Sequence, residues 1–211
     1  MAILNLQVAT VNDDGYMRSI PDDSGRNVTN SGPMVIGGSA SLIVGSFASN
    51  NERSAAARFT GADAIRGTTI NSAILQVKIE SEMPGAVYKY YVSGQAADNP
   101  APLTTTSGDL NITNRPRTST YTLWEPSEVV QDAWYDIDIT GGIQELADRA
   151  GFGGAIVVIL DTHADMTVGE WVSLYSYNIW PPDAPKLEID YSDGGGVLNA
   201  PGKMSPNRGI W

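Results

Sequence analysis

One stretch, Trp134 to Asp161 (WYDIDITGGIQELADRAGFGGAIVVILD), constrains the fold more than any other part of the chain. Tyr135, Ile137 and Ile139 alternate with Asp136 and Asp138, the period of a half-buried strand. Thr140 then predicts a helix start, because its hydroxyl can accept a bond from an unpaired first-turn amide. Ile143, Leu146, Ala147 and Ala150 fall on one helical face, and Gly151 is the expected left-handed stop. Ala155 to Leu160 is apolar without alternation, as a strand covered on both faces would be. A helix this short is unstable alone in water. It is expected as a plug across one end of a β-sandwich.

The rest of the composition fits that architecture. With 211 residues, 42% hydrophobic, and 22 glycines, the chain can fill one large all-β core and still turn often. The net charge of -11 repels nucleic acid and anionic membrane, so neither is expected as a partner. No cysteine is present, which excludes disulfides and thiolate metal sites. The opening MAILNLQVATVNDD shows no basic leader or cleavage signal, and no later run approaches the ~20 apolar residues of a membrane span. A protein made in the cytosol, or a mature form, is the expectation.

Along the chain, Ile3, Leu4, Leu6 and Val8 predict a first strand or extended arm within residues 1–15. A jelly-roll β-sandwich is expected over 16–192. Its clearest strand is Ile70 to Glu80, with Ala73, Leu75, Val77 and Ile79 directed inward. Other strands are expected at Tyr16–Ile20, Leu42–Phe47, Ser54–Phe59, Val87–Ser93, Thr118–Trp124, Trp171–Tyr177 and Leu187–Tyr191. Arg26 to Ser41 reads as a long loop with a strand embedded in it, anchored by Met34, Val35 and Ile36. Gly94 to Ser107 reads as a loop with little drive to be regular. Residues 193–211 are expected as an extended Gly/Pro-rich tail, which would be disordered if left free.

Several of these pieces, in this order, carry a family resemblance. They are SLIVG from Ser41, the Arg53–Phe59 strand, INSAILQV from Ile70, NRPRT from Asn114, the Trp134–Ala150 unit, YSY from Tyr175 and PDAPKLEIDY from Pro182. Together they resemble the DNRLRE-type or disaggregatase-related modules of secreted and viral proteins, which look like carbohydrate-binding modules. The resemblance covers most of Tyr16 to Ser192 and none of the tail. It implies an antiparallel jelly roll of roughly eight strands. The matching residues are core and turn positions, so they speak for fold more than for ligand.

Chemistry is sparse. His163 is the only histidine, no Gly-x-Ser-x-Gly elbow occurs, and a polar loop role explains His163 without catalysis. Glycan hydrolysis or lysis ranks last, since a working carboxylate pair is a spatial property. A structural calcium is conceivable at Asp13, Asp14, Asp22 and Asp23, where hard oxygens cluster on turning backbone; the same residues favour turns without any ion. No other cofactor is expected. Trp124, Trp134, Tyr175, Tyr177 and Trp180 are candidates for stacking the apolar face of a sugar, although tryptophans at strand ends commonly cover cores.

The tail holds the remaining apolar points: Val197, Leu198, Met204, Ile210 and Trp211. Seated on a neighbour, Trp211 would be an anchor on a flexible strap; folded back, the tail would cover an edge strand of its own sandwich. The first alternative gives the leading sequence reading. It is a non-catalytic structural protein of a particle, most naturally a tailed-phage virion component made in the host cytoplasm. It would dock through its arms to other virion subunits and copies of itself, and a surface glycan could also bind. The alternative is a secreted, stand-alone carbohydrate-binding module.

Overall fold

The computed structural model describes residues 1–21, 27–35, 41–46, 52–83, 86–104, 112 and 114–192. They form an all-β, antiparallel, jelly-roll-like sandwich with a single α-helix among the described residues. The strands are β1 (Ala2–Gln7), β2 (Asp14–Pro21), β3 (Asn27–Val35), β4 (Leu42–Ser46), β5 (Glu52–Phe59) and β6 (Thr69–Glu82). β7 (Tyr90–Gln95), β8 (Arg117–Trp124), β9 (Trp134–Asp138), β10 (Ile156–Thr162), β11 (Trp171–Leu174) and β12 (Lys186–Ser192) complete them. That is twelve strands among the described residues, more than the eight implied by the resemblance.

One layer runs β1-β12-β6-β9, and the other β3-β2-β5-β10-β7-β8. They are not separate sheets. β6 leaves β12 after Gln76 and takes up β11 from Ile79, β11 pairs β4, and β4 hands over to the start of β5. Between the layers the alternating set of β6, Ala73, Leu75, Val77 and Ile79, is fully buried, as its period requires. Leu187 and Ile189 of β12 join it from their own layer, and Phe59, Tyr90, Val92, Ile156, Val158 and Leu160 face it from the other.

The central stretch folds largely as its pattern predicts. In β9 Ile137 is buried between exposed Asp136 and Asp138, and Ala155–Leu160 is buried throughout. Helix α1 (Thr140–Ala147) packs on β6 of one layer and on β7 and β8 of the other, closing one end of the sandwich. Gly94 makes this approach close: a Cβ there would stand 3.0 Å from Leu146 Cδ1.

Both ends of α1 differ from expectation. Thr140 does not cap the helix; it is its first residue, and Asp138 Oδ1 accepts from its amide at 2.9 Å and its hydroxyl at 2.6 Å. The hydroxyl oxygen accepts instead from the Ala73 amide, tying the helix to β6. The helix ends at Ala147, leaving Ala150 exposed outside it. Gly151 is not the left-handed stop, a conformation that falls to Gly154 at φ 80°. At Gly151 the space of a Cβ is taken by the Asp98 carboxylate, which is paired to Arg149 at 2.6 Å.

The outer face of the second layer is also covered. Met17, Ala56, Val157 and Ile159 form a smaller apolar cluster with Leu103 and Ile112 from the long β7–β8 connection. That connection, read from sequence as having little drive to be regular, is held down by arginines. Arg58 Nε donates to the Pro100 carbonyl, and Arg115 donates to the carbonyls of Ala101 and Pro102 and to Gln95 Oε1. Arg117 bonds Asp161 through two nitrogens and also reaches the Ile112 carbonyl. Burial first, then the neighbouring charges of Arg58 and Arg117, bring Arg115 down to about 10.

Candidate functional site

The outer face of the β1-β12-β6-β9 layer is the part of the sandwich that collects exposed, chemically varied side chains. Strand register decides which ones. With Leu75 and Val77 inward, Gln76 and Lys78 point outward, and register sets Lys186 beside Gln76, Asp136 beside Gln76 and Trp134 beside Lys78. Gln7 and Asn5 of β1 align with Lys186 and Glu188. Asn5, Leu6, Gln7, Gln76, Lys186, Leu187 and Glu188 line an open cleft of about 210 Å³.

Hydrogen bonds fix several of these groups. Gln76 Nε2 donates to Asp136 Oδ1 at 3.0 Å, and Gln7 Nε2 to the Pro181 carbonyl at 2.8 Å. The Lys186 ammonium stands 4.2 Å above the Trp134 ring. Beyond Trp134, Lys78 is paired to Asp183 at 2.7 Å and lies 5.1 Å over the Tyr175 ring, whose hydroxyl donates to Asp132 Oδ1 at 2.9 Å. The Asp183 hydrogen bond raises Lys78, and the Asp132 bond raises Tyr175. Trp180, 57% exposed, stands on the turn that ends at Asp183.

Three of the five predicted aromatics therefore belong to one surface: Trp134, Tyr175 and Trp180. The other two do not. Trp124 is buried, its ring 5.5 Å from Tyr90 and 6.0 Å from Tyr135, and it serves the core at the end of β8. Tyr177 packs half-buried against the same core. The sequence reading missed Asn5, Gln7, Gln76, Lys186 and Glu188. They occupy outward positions of strands whose inward partners had been identified, and that alternation was the available signal.

Of the four candidate calcium ligands, Asp22 and Asp23 lie outside the described residues. Asp13 is already committed: Oδ1 to Arg58 at 2.9 Å, Oδ2 to the Thr10 hydroxyl at 3.0 Å. Among the described residues no group of three or more histidine, cysteine or acidic side chains could hold a metal. Asp14, at 1% exposure, differs. Its Oδ2 accepts the Tyr177 amide at 2.6 Å, while its Oδ1 has no partner among the described residues. Val197, Leu198, Met204, Ile210 and Trp211 also lie outside the described residues. His163 occupies the loop after β10, where Nδ1 accepts the Asp165 amide at 3.0 Å and the ring rests 4.6 Å from Tyr91.

Burial is the chief force on Asp14. It outweighs the Tyr177 amide, which pulls the other way, and with the adjacent Asp13 charge it pushes the carboxyl up to about 7. The ordinary value is 3.8. The folded state thus keeps a proton that the unfolded chain releases between these values. Stability contributed at this site falls as pH rises through the window, then stays at the lower level. Asp14→Asn is expected to be more stable than wild type at pH 8, on the order of 2–4 kcal/mol, with the advantage gone near pH 4. Urea unfolding of both proteins at the two pH values measures this.

No family model matches the chain, and no curated protein does. The DNRLRE-type resemblance accordingly has no family model behind it. Among solved structures, a similar chain comes from work described as "Structural basis for the promiscuous specificity of the carbohydrate-binding modules from the beta-sandwich super family". The likeness has a TM-score of 0.28 at 12% identity, covering 91% of this chain and 55% of that one. This chain thus spans about half the length of that structure. A likeness this weak carries no argument about ligand, which rests on the site alone.

Proposed function

We propose that the chain is a non-catalytic glycan-binding sandwich whose ligand lies along the outer face of the β1-β12-β6-β9 layer. The observation that carries this reading is the cleft itself. Asn5, Gln7, Gln76, Glu188 and Lys186 all line it, and exposed Trp134 stands beside it under the Lys186 ammonium. Sugar hydroxyls need such interleaved donors and acceptors, and the apolar ring face needs an aromatic edge. One carboxylate, Glu188, is among the cleft's lining residues, whereas glycoside hydrolysis generally uses two across the scissile bond. Trp180 would extend the surface past the Pro181–Asp183 turn.

Titration calorimetry against a panel of neutral and acidic polysaccharides tests this. At least one is expected to bind, and Gln76→Ala or Trp134→Ala to weaken it roughly tenfold, about 1.4 kcal/mol, with little change in melting temperature. Binding that survives both substitutions, or a panel without a single ligand, would refute the assignment.

Assembly into a virion through the terminal segments is a second proposal, favoured by the five apolar residues spaced through the Gly/Pro-rich 193–211 stretch. Size-exclusion chromatography with and without the residues after Asp193 separates it from a lone module: a monomer indifferent to truncation opposes assembly. Calcium is a third element: among the described candidates, Asp14 has an oxygen, Oδ1, that no described residue bonds. A calcium-dependent rise in melting temperature that disappears in Asp14→Asn would place the ion there.

A further inference from the structure

Among the described strands, β1 is an edge strand. Its inner side is fully described: Val8 N donates to the Pro185 carbonyl, and the register sets Leu6 opposite Leu187, Leu4 opposite Ile189 and Ala2 opposite Tyr191. In an antiparallel pair the hydrogen-bonding direction alternates with each residue. The amides and carbonyls of Leu6, Leu4 and Ala2 therefore turn toward β12, like that of Val8. Those of Ile3, Asn5 and Gln7 turn away from it, and no described residue bonds them.

Edge strands are commonly guarded by lysine, proline, a bulge or an inward charge. Ala2–Gln7 (AILNLQ) has no charge and no proline, and its pairing with β12 runs without a register shift. Ile3 is 62% exposed, and Leu4 and Leu6 are only partly buried. In a chain of net charge -11, two copies repel each other overall. This uncharged strip is where they can approach.

We infer that β1 is a docking edge for the β1 of a second copy of this chain, paired antiparallel about a two-fold axis through Asn5. The strand is self-complementary in that register. Asn5 faces Asn5 of the second copy, and Ile3 on each side faces Gln7 on the other. The six outward amides and carbonyls of each pair of strands bond one another, and the facing Leu4 and Leu6 side chains cover each other's exposed edges. The contact is isologous and closes, so it stops at two copies. Strand pairing alone buries less than the about 1,200–2,000 Å² of a stable interface, so the dimer dissociates on dilution. It also sets two clefts side by side, since Asn5 and Gln7 line each cleft.

Sedimentation of the full chain over a dilution series, with Asn5→Pro as the variant, tests the inference. Proline at position 5 removes only an outward amide and leaves the β12 ladder intact. Wild type is expected to pass from dimer to monomer on dilution, while Asn5→Pro stays monomeric with the melting temperature of the dilute, monomeric wild type. Ile3→Lys places a charge on the same edge and is expected to act alike. Hydrogen exchange at Ile3, Asn5 and Gln7 is expected to slow as concentration rises. A wild-type monomer at every concentration overturns the inference. So does a dimer that survives Asn5→Pro, or amide protection independent of concentration, which would mean that the chain's own residues cover the edge.

Discussion

Asp161→Ala is expected to cost about 3–5 kcal/mol of folding stability, the range for removing one member of a buried ion pair. Asp161 is 1% exposed and accepts from Arg117 at 3.0 and 2.9 Å and from the Ser54 hydroxyl at 2.7 Å. Without it the Arg117 guanidinium, itself almost wholly buried, has lost its compensating charge. The effect should extend beyond β10, because Arg117 also holds the Ile112 carbonyl and so helps seat the cover over the second layer. Urea unfolding should show the lower midpoint, and limited proteolysis should cut first between β7 and β8. The double change Asp161→Leu with Arg117→Met removes both charges and is expected to recover much of the loss. If it is as unstable as the single variant, the cost came from packing and not from the orphaned charge.

Gly45→Ala is the second large effect. Gly45 sits in β4 at φ 136°, a conformation closed to side-chain-bearing residues, and strain of that kind costs about 1–3 kcal/mol. The space offers no relief: a Cβ would enter the Glu170 carbonyl and the Trp171 Cα, which are backbone atoms and cannot rotate away. β4 must then part from β11, and the Ser46 amide from the Glu170 carbonyl at 2.8 Å. The variant is expected to lose more than the strain alone and to show a melting temperature lowered by several degrees, roughly 4–8 °C per kcal/mol for a small domain and less at this size. A thermal melt equal to wild type would mean that β4 can shift freely, contrary to the close packing seen.

What could be read from the sequence was what repeats. Alternation along β6 and the unbroken apolar run of β10 placed both strands and their buried faces, because period and burial are locally encoded. Helix α1 was legible as a plug for the same reason, but its cap was not. Thr140 and Asp138 are both residue types that cap helices, yet the N-cap position falls to Ile139, while Asp138 bonds the Thr140 amide and the Thr140 hydroxyl is taken up by Ala73 on β6. The arginine-held cover over Ala56, Val157 and Ile159 was illegible, since it joins residues far apart along the chain in patterns no local window contains. The cleft fell between these cases. Trp134 and Trp180 stand out by residue type, whereas Gln76, Lys186 and Glu188 are ordinary outward strand residues, and only the pairing of β1, β12 and β6 makes them neighbours. Trp124 misled because a tryptophan at a strand end can serve core or surface equally; its contacts with Tyr90 and Tyr135 put it in the core.

The pairing of Ala2 with Tyr191 brings the outset of β1 and the finish of β12 to one corner of the body. Tension applied between those two points would run across the strands, opening the ladder like a zipper, one rung after another from Ala2 toward Gln7. Shear along the strands, which loads every rung at once, would need grips at opposite corners. A body gripped at this corner therefore yields at low force, with forced rupture set by its unfolding rate. Whatever holds this molecule in place under load does best to pull on one end alone.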